Sequence, residues 1–215
     1  MSYMFYDATN FNQPIGNWNV SKVTNMTNMF SDAINFNQPI GDWNVSNVTD
    51  MSYMFYNATN FNQPIGDWSV SKVTDMSCMF QEAKTFNCDL GNWEKKGHTE
   101  TISTLANVKS MYEMFANANA FEGKNLTHWS VNNVNDFMSM FIYTNLSTET
   151  LQIIYDNWLS KINNKNKETF FDELNVFSKT KKGIEKKNDE VENNEKNIAM
   201  TVLDACNGVT RRKKE

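Results

Sequence analysis

Three cysteines, Cys78, Cys88 and Cys206, stand among 215 residues, too few for a disulfide scaffold and without any C-x-x-C spacing. Two histidines, His98 and His128, cannot complete a usual zinc set with them, so no zinc, haem or other cofactor is expected. Long apolar runs are missing as well. Nothing approaches the roughly 18 consecutive apolar residues of a membrane-spanning helix, and mean hydropathy is -0.59. The opening MSYMFYDATN has none of the basic, apolar and small-residue zones of a secretory signal, and no export address or anchor is expected on this chain. Charge of one sign is scarce in the first three quarters: residues 1–160 hold 7 Lys against 15 Asp and Glu, whereas 161–215 hold 13 Lys and Arg against 10 acids. Two regions of different character follow.

What the chain has in abundance is repetition, which takes precedence over any reading of single elements. FNQPIG begins at Phe11, Phe36 and Phe61, and a degraded copy, FNCDLGNW, begins at Phe86, a step of 25 residues each time. All three prolines, Pro14, Pro39 and Pro64, occupy this one site. Trp18, Trp43, Trp68 and Trp93 keep the step, and Trp129 resumes it after an insertion. Met29 and Phe30 recur as Met54 and Phe55, Met79 and Phe80, Met114 and Phe115, and Met140 and Phe141. These tryptophan, methionine and phenylalanine columns are the expected structural core. The insertion falls within EKKGHTETISTLAN, near 94–107, and reads as a surface loop.

Within a rung, Ile15, Trp18 and Val20 have the apolar spacing of a short strand. Val23, Met26, Met29, Phe30 and Ala33 then follow at helical spacing, with Ser21, Ser46 and Ser71 placed as helix N-caps. Asn35, Phe36, Asn37 and Pro39 supply the return loop. The expected fold is therefore an α/β repeat solenoid: one short parallel strand and one helix per rung, about five and a half rungs over 1–146. Leu151, Ile154, Tyr155, Trp158, Leu159 and Ile162 predict an amphipathic capping helix over 147–162, and the Lys- and Asn-rich segment 163–215 reads as a partly disordered tail.

The unit FNQPIGDWNVSNVTDMSYMFYNAT resembles the 25-residue repeat of the BspA-like leucine-rich-repeat surface proteins, a domain abundant in mycoplasma surface lipoproteins. The likeness covers about residues 1–141, and LSTETLQIIYDNWLSKI, from Leu146, is similar to the helix that often follows the last repeat. The resemblance implies a cell-surface or secreted, non-enzymatic solenoid used in adhesion and protein binding.

Catalytic readings find no support in the residues. The repeated serines have no histidine in their rungs, and the acids exchange with asparagine from rung to rung, as Asp42 and Asp67 do for Asn17 and Asn92. No catalytic site is expected. That column could offer oxygens to calcium or form a hydrogen-bonding ladder; no metal is assigned, because calcium sites draw several carboxylates to one point. The short run Arg211 to Lys214 follows an acidic repeat region, so nucleic acid is not expected as a partner. The expected function is an interaction module binding a protein or cell-surface ligand through outward positions Asn17, Asn19, Asp42, Asn44, Asp67 and Ser69; the alternative is an enzyme or enzyme-accessory role carried by the insertion and tail, or a fragment of a longer surface protein with no independent role. MSYMFYDATN at residue 1 matches MSYMFYNATN at residue 51, so the array is expected to present an uncapped amino-terminal rung and to self-associate through it.

Overall fold

The computed structural model describes residues 1–96, 101–103, 105–159 and 161–162. All of them fall in one compact unit, Met1–Phe177; the second unit, Ser178–Glu215, and with it the expected tail, lies outside the described residues.

Each 25-residue repeat closes into one coil, and the coils stack in parallel, but not by the elements the spacing suggests. Among the described residues the repeats contain neither the expected strand nor the expected helix. Ladder strands among the described residues occur only in the insertion, where β1 (Glu94–Lys96) pairs antiparallel with β2 (Thr101–Ser103). The helix among them is α1 (Thr148–Leu159), and short 3-10 turns lie at Gly91–Trp93 and Leu126–His128. The α/β solenoid expectation is thus overturned, for a reason visible in the hydrogen bonds. Trp18 N–H donates to Ile15 O (3.0 Å) and Val23 N–H to Val20 O (2.8 Å), so the Ile-x-x-Trp-x-Val segment is two tight turns. Next, Met29 N–H donates to Met26 O, Ser31 N–H to Asn28 O and Ala33 N–H to Phe30 O, three further turns where a helix was expected. Asn28 (φ 54°) and Asp32 (φ 60°) sit in the left-handed region, as do Tyr53 and Asn57, Cys78 and Glu82, and Glu113 and Asn117. Two such residues per coil, four apart, turn the chain out of every helical path.

The remaining N–H groups join rung to rung. Asn28, Phe30 and Asp32 donate to the carbonyls of Ser52, Met54 and Tyr56 at 2.8–3.1 Å, and Tyr53, Phe55 and Asn57 repeat the pattern to Ser77, Met79 and Gln81. Isolated parallel bridges run Asn25 to Asp50 to Asp75 to Ser110 to Asp136. Side chains add their own columns. Trp43 Nε1 donates to Ile15 O, Trp68 Nε1 to Ile40 O, Trp93 Nε1 to Ile65 O and Trp129 Nε1 to Leu90 O, all at 3.0–3.2 Å. A buried indole N–H therefore finds its acceptor one rung back.

The core is two stacked phenylalanine columns. Phe30 lies 5.6 Å from Phe55 with planes 5° apart, and Phe36 lies 5.9 Å from Phe61 at 4°. Within a rung Phe30 and Phe36 stack at 4.0 Å. Phe36, Phe61, Phe86 and Phe121 are thus core, although their place beside the proline turn suggested a loop. Met29, Phe30, Trp43, Met54, Phe55, Trp68, Met79, Phe80, Trp93, Met114, Phe115, Trp129, Met140 and Phe141 are all buried. Trp18 is the correction: it is 39% exposed, against 3% for Trp43, because no rung lies over it in the described residues. Close approach of the coils also dictates glycine at Gly41, where a Cβ would lie 2.5 Å from Pro64 O.

Candidate interaction surface

Each coil turns two sets of side chains outward, one on the turns around the tryptophan and one on the turns around the Met-Phe pair. The first set holds the residues expected to meet a ligand. Asn17, Asn19, Asp42, Asn44, Asp67 and Ser69 are all exposed. Asn19 Oδ1 accepts from Ser21 N–H (3.1 Å) and Ser21 Oγ (2.7 Å), and Asn44 Oδ1 accepts likewise from Ser46. These are Asx turns, so Ser21 and Ser46 close a loop instead of capping a helix, and two of the expected contact amides are already bonded. Ser71, also expected to cap, is followed by a Val70-to-Val73 turn and no helix. Asp67 Oδ1 accepts from Asn92 Nδ2 at 3.2 Å. Asp42 and Asp67 come together in an open groove of about 590 Å³ with Asn62, Asn87, Asp89 and Asn92; Asn17, Asn19, Asn44 and Ser69 do not line it.

The second set was missed by the reading of the sequence. On the turns flanking each Met-Phe pair stand Tyr3, Tyr6, Tyr53, Tyr56, Tyr112 and Tyr143, interleaved with Asp7, Asp32, Glu82 and Glu113. Tyr3, Tyr53 and Tyr143 are 58%, 37% and 47% exposed, and all three hold positive φ, at 59°, 57° and 57°. The rings of Tyr3 and Tyr53 stand against a second tyrosine of the same coil: Tyr3 and Tyr6 are 5.7 Å apart, Tyr53 and Tyr56 5.9 Å. The carboxylates are tied in beside them. Tyr112 Oη donates to Glu113 Oε1 at 2.9 Å, Gln81 Nε2 donates to Glu113 Oε2 at 2.5 Å, and Asn57 Nδ2 donates to Asp32 Oδ1 at 2.8 Å. The signal lay in the two variable positions after each Met and each Met-Phe pair, where four of the rungs carry tyrosine.

Reactive chemistry is muted on this edge. Burial pushes the Cys78 thiol up to about 11, so it stays protonated near neutrality and is a poor nucleophile. A hydrogen bond with Cys78, joined by the charge that the thiol would carry, pushes Tyr53 up to about 12. Cys88 is half-buried and free, His128 is exposed, and His98 lies outside the described residues. Among the described residues, no helix is long and apolar enough to cross a membrane.

A family model described as "Mycoplasma protein of unknown function, DUF285" matches residues 1–106 and 101–184. No curated protein and no solved structure gives a significant match.

Proposed function

The chain belongs to this mycoplasma family of unknown function, and within it we propose a non-enzymatic, BspA-like interaction module, displayed at the cell surface or secreted, that adheres to a partner protein through its tyrosine edge. One observation carries the reading: Tyr3, Tyr53 and Tyr143 hold large exposed rings on left-handed backbone. A non-glycine residue in that region costs roughly 1–2 kcal/mol. Asn28, Asn57 and Asn117 fill the equivalent corners of other rungs with a residue better suited to that backbone. Three tyrosines in such corners make sense as contact anchors, since tyrosine supplies much rigid area with few torsions and is enriched among interface hot spots. The neighbouring carboxylates favour a partner whose docking segment carries lysine or arginine.

A second reading keeps the expected polar row as the contact surface, and the groove holding Asp42 and Asp67 favours it. Photo-crosslinking in living cells separates the two. A crosslinking amino acid at Tyr53 should capture a discrete partner, and capture should fall at least tenfold when Tyr3 and Tyr143 are changed to Asn. Capture that survives those changes but is lost on Asp42→Lys and Asp67→Lys transfers the function to the groove. Protease shaving of intact cells tests surface display.

A further inference from the structure

Tyr53, Cys78 and Glu113 occupy the same corner of three successive coils, all on left-handed backbone. Tyr53 N–H donates to Ser77 O (2.9 Å) and Cys78 N–H to Tyr112 O (2.7 Å), so the three corners stand side by side. They differ in size: Tyr53 is large and 37% exposed, whereas Cys78 is small and buried. The Tyr53 hydroxyl is hydrogen-bonded to the Cys78 thiol, which draws the ring across the coil boundary and over its smaller neighbour. Tyr56 stands beside it at 5.9 Å, tilted by 55°. Carboxylates border this ring pair on both sides. Asp32 lies on the coil before, its N–H donating to Tyr56 O at 2.8 Å, and Glu82 on the coil after, next to Gln81, whose O accepts from Asn57 N–H at 2.7 Å. Their charge reaches the rings: burial first, then Asp32 and Glu82, push the Tyr56 phenol up. Glu113 is fixed by Tyr112 Oη and Gln81 Nε2, neutral donors that leave its charge unbalanced. Among the described residues the cation against Glu82 is Lys84, at 3.9 Å with its side chain half-exposed, a weak pair. Tyrosine rings bordered by unbalanced negative charge attract a cation.

We propose that the Tyr53 and Tyr56 pair seats one arginine side chain of the partner protein, its guanidinium laid on the rings and its N–H groups turned to Glu82 and Glu113. The proposal rests on the tyrosine edge being the contact surface, and names what that edge takes. Charge alone would accept lysine equally. Arginine suits the ring pair better, because its planar, weakly hydrated guanidinium stacks on an aromatic face and presents five donors in a fixed fork, whereas an ammonium is a strongly hydrated point charge. Acceptor capacity remains on Glu113, since each carboxylate oxygen has two lone-pair sites and each here has taken one donor. The other ring pair, Tyr3 and Tyr6, has Asn28 in the corner of the next coil and Tyr53 in the one after. The combination of paired rings with Glu82 and Glu113 thus occurs once among the described residues.

The test is an NMR titration of the full chain, its tyrosine rings isotope-labelled, with acetyl-Gly-Ser-Arg-Ser-Gly-amide and with counterparts carrying lysine or uncharged citrulline in place of arginine. The arginine peptide should shift the Tyr53 and Tyr56 ring signals saturably, the lysine peptide should bind at least threefold more weakly, and the citrulline peptide should leave the signals in place. Glu82→Gln with Glu113→Gln removes the charge but keeps an oxygen for the Tyr112 and Gln81 donors, and should weaken the arginine peptide at least fivefold. Glu122→Gln with Glu149→Gln, the same loss of charge elsewhere on the surface, should leave its affinity unchanged. Equal binding of the lysine or citrulline peptide, or undiminished binding to the first variant, overturns the proposal. The seat and the edge fail separately. A partner captured from Tyr53 as strongly after Glu82→Gln and Glu113→Gln keeps the edge and overturns the seat; saturable arginine binding with no partner captured from Tyr53 upholds the seat and removes the edge as an adhesive surface.

Discussion

Trp158 lies parallel to Trp129, ring centroids 6.1 Å apart and planes 8° from coplanar, although one belongs to α1 and the other to a rung. The Trp158 Nε1 donates to Leu126 O at 3.0 Å, the bond that Trp129 makes to Leu90 O one level down. α1 thus inserts one more indole into the rung column, with Phe137 and Phe141 tilted against it.

Trp158→Ala should therefore cost about 3–5 kcal/mol, the same as Trp43→Ala in the middle of the stack, through lost transfer energy and a cavity. Trp158→Phe should cost less, because Leu126 O keeps the Trp129 N–H as a donor and loses only its second partner, a term of about 0.5–1.5 kcal/mol. Urea melts of the three variants check the ranking.

Gly41→Ala should destabilise by roughly 1–3 kcal/mol. The new methyl meets Pro64 O, a backbone atom of the next coil that cannot swing away as a side chain would. A shift of the denaturant midpoint with unchanged slope is the expected signature.

Thr27 Oγ1 is buried without a hydrogen-bond partner. Its counterpart Ser52 donates to Asp50 Oδ1 at 2.7 Å. Thr27→Ser frees the hydroxyl to reach Asn25 in the same way and should stabilise by about 0.5–1.5 kcal/mol, read as a higher melting temperature.

Tyr143→Asn should stabilise by roughly 0.5–1 kcal/mol, because asparagine relieves part of the left-handed penalty at φ 57°. The same change should weaken partner capture. Stability and adhesion moving in opposite directions is the expected result of calorimetry and crosslinking on one variant.

Alkaline titration probes the Tyr53 and Cys78 pair. The folded chain holds the Cys78 proton to about 11 against an ordinary 9.0, and the Tyr53 proton to about 12 against 10.0. Protons held more tightly in the folded state add stability that is complete below about pH 9 and is lost as pH rises toward 12. Cys78→Ser with Tyr53→Phe should flatten the fall in melting temperature across that window.

The repeat unit, the indole column and the helix after the last rung were legible in the sequence because each rests on a fixed spacing: Trp43, Trp68 and Trp93 recur at the step, and Leu151, Ile154 and Trp158 mark a helical face. The elements within the rung were not. Val23, Met26, Met29, Phe30 and Ala33 have helical spacing, yet a chain of three-residue turns also brings every third or fourth side chain inward. The distinguishing cue is Asn and Asp at 28, 32, 57 and 117, residues tolerant of the left-handed region. It is masked where Tyr53 and Glu82 fill the same corners, held there by the bonds of the neighbouring coils. Of the candidate surface, the polar row was located as exposed, but the sequence did not tell that Asn19 and Asn44 spend their oxygens on their own loops. The tyrosine edge was hidden within a stripe read as helix.

Because Met51 N–H meets Asp75 O as Met26 N–H meets Asp50 O, and Thr74 N–H meets Thr49 O as Thr49 N–H meets Thr24 O, neighbouring coils are interchangeable at their seams. Removing residues 51–75 would set Asp50 before Met76 with every seam contact of the same type, whereas removing 10 or 15 residues would leave each phenylalanine facing a turn. The molecule is thus built to vary in whole coils: adding or removing one changes its reach and the number of tyrosine corners it carries, while its core chemistry stays the same.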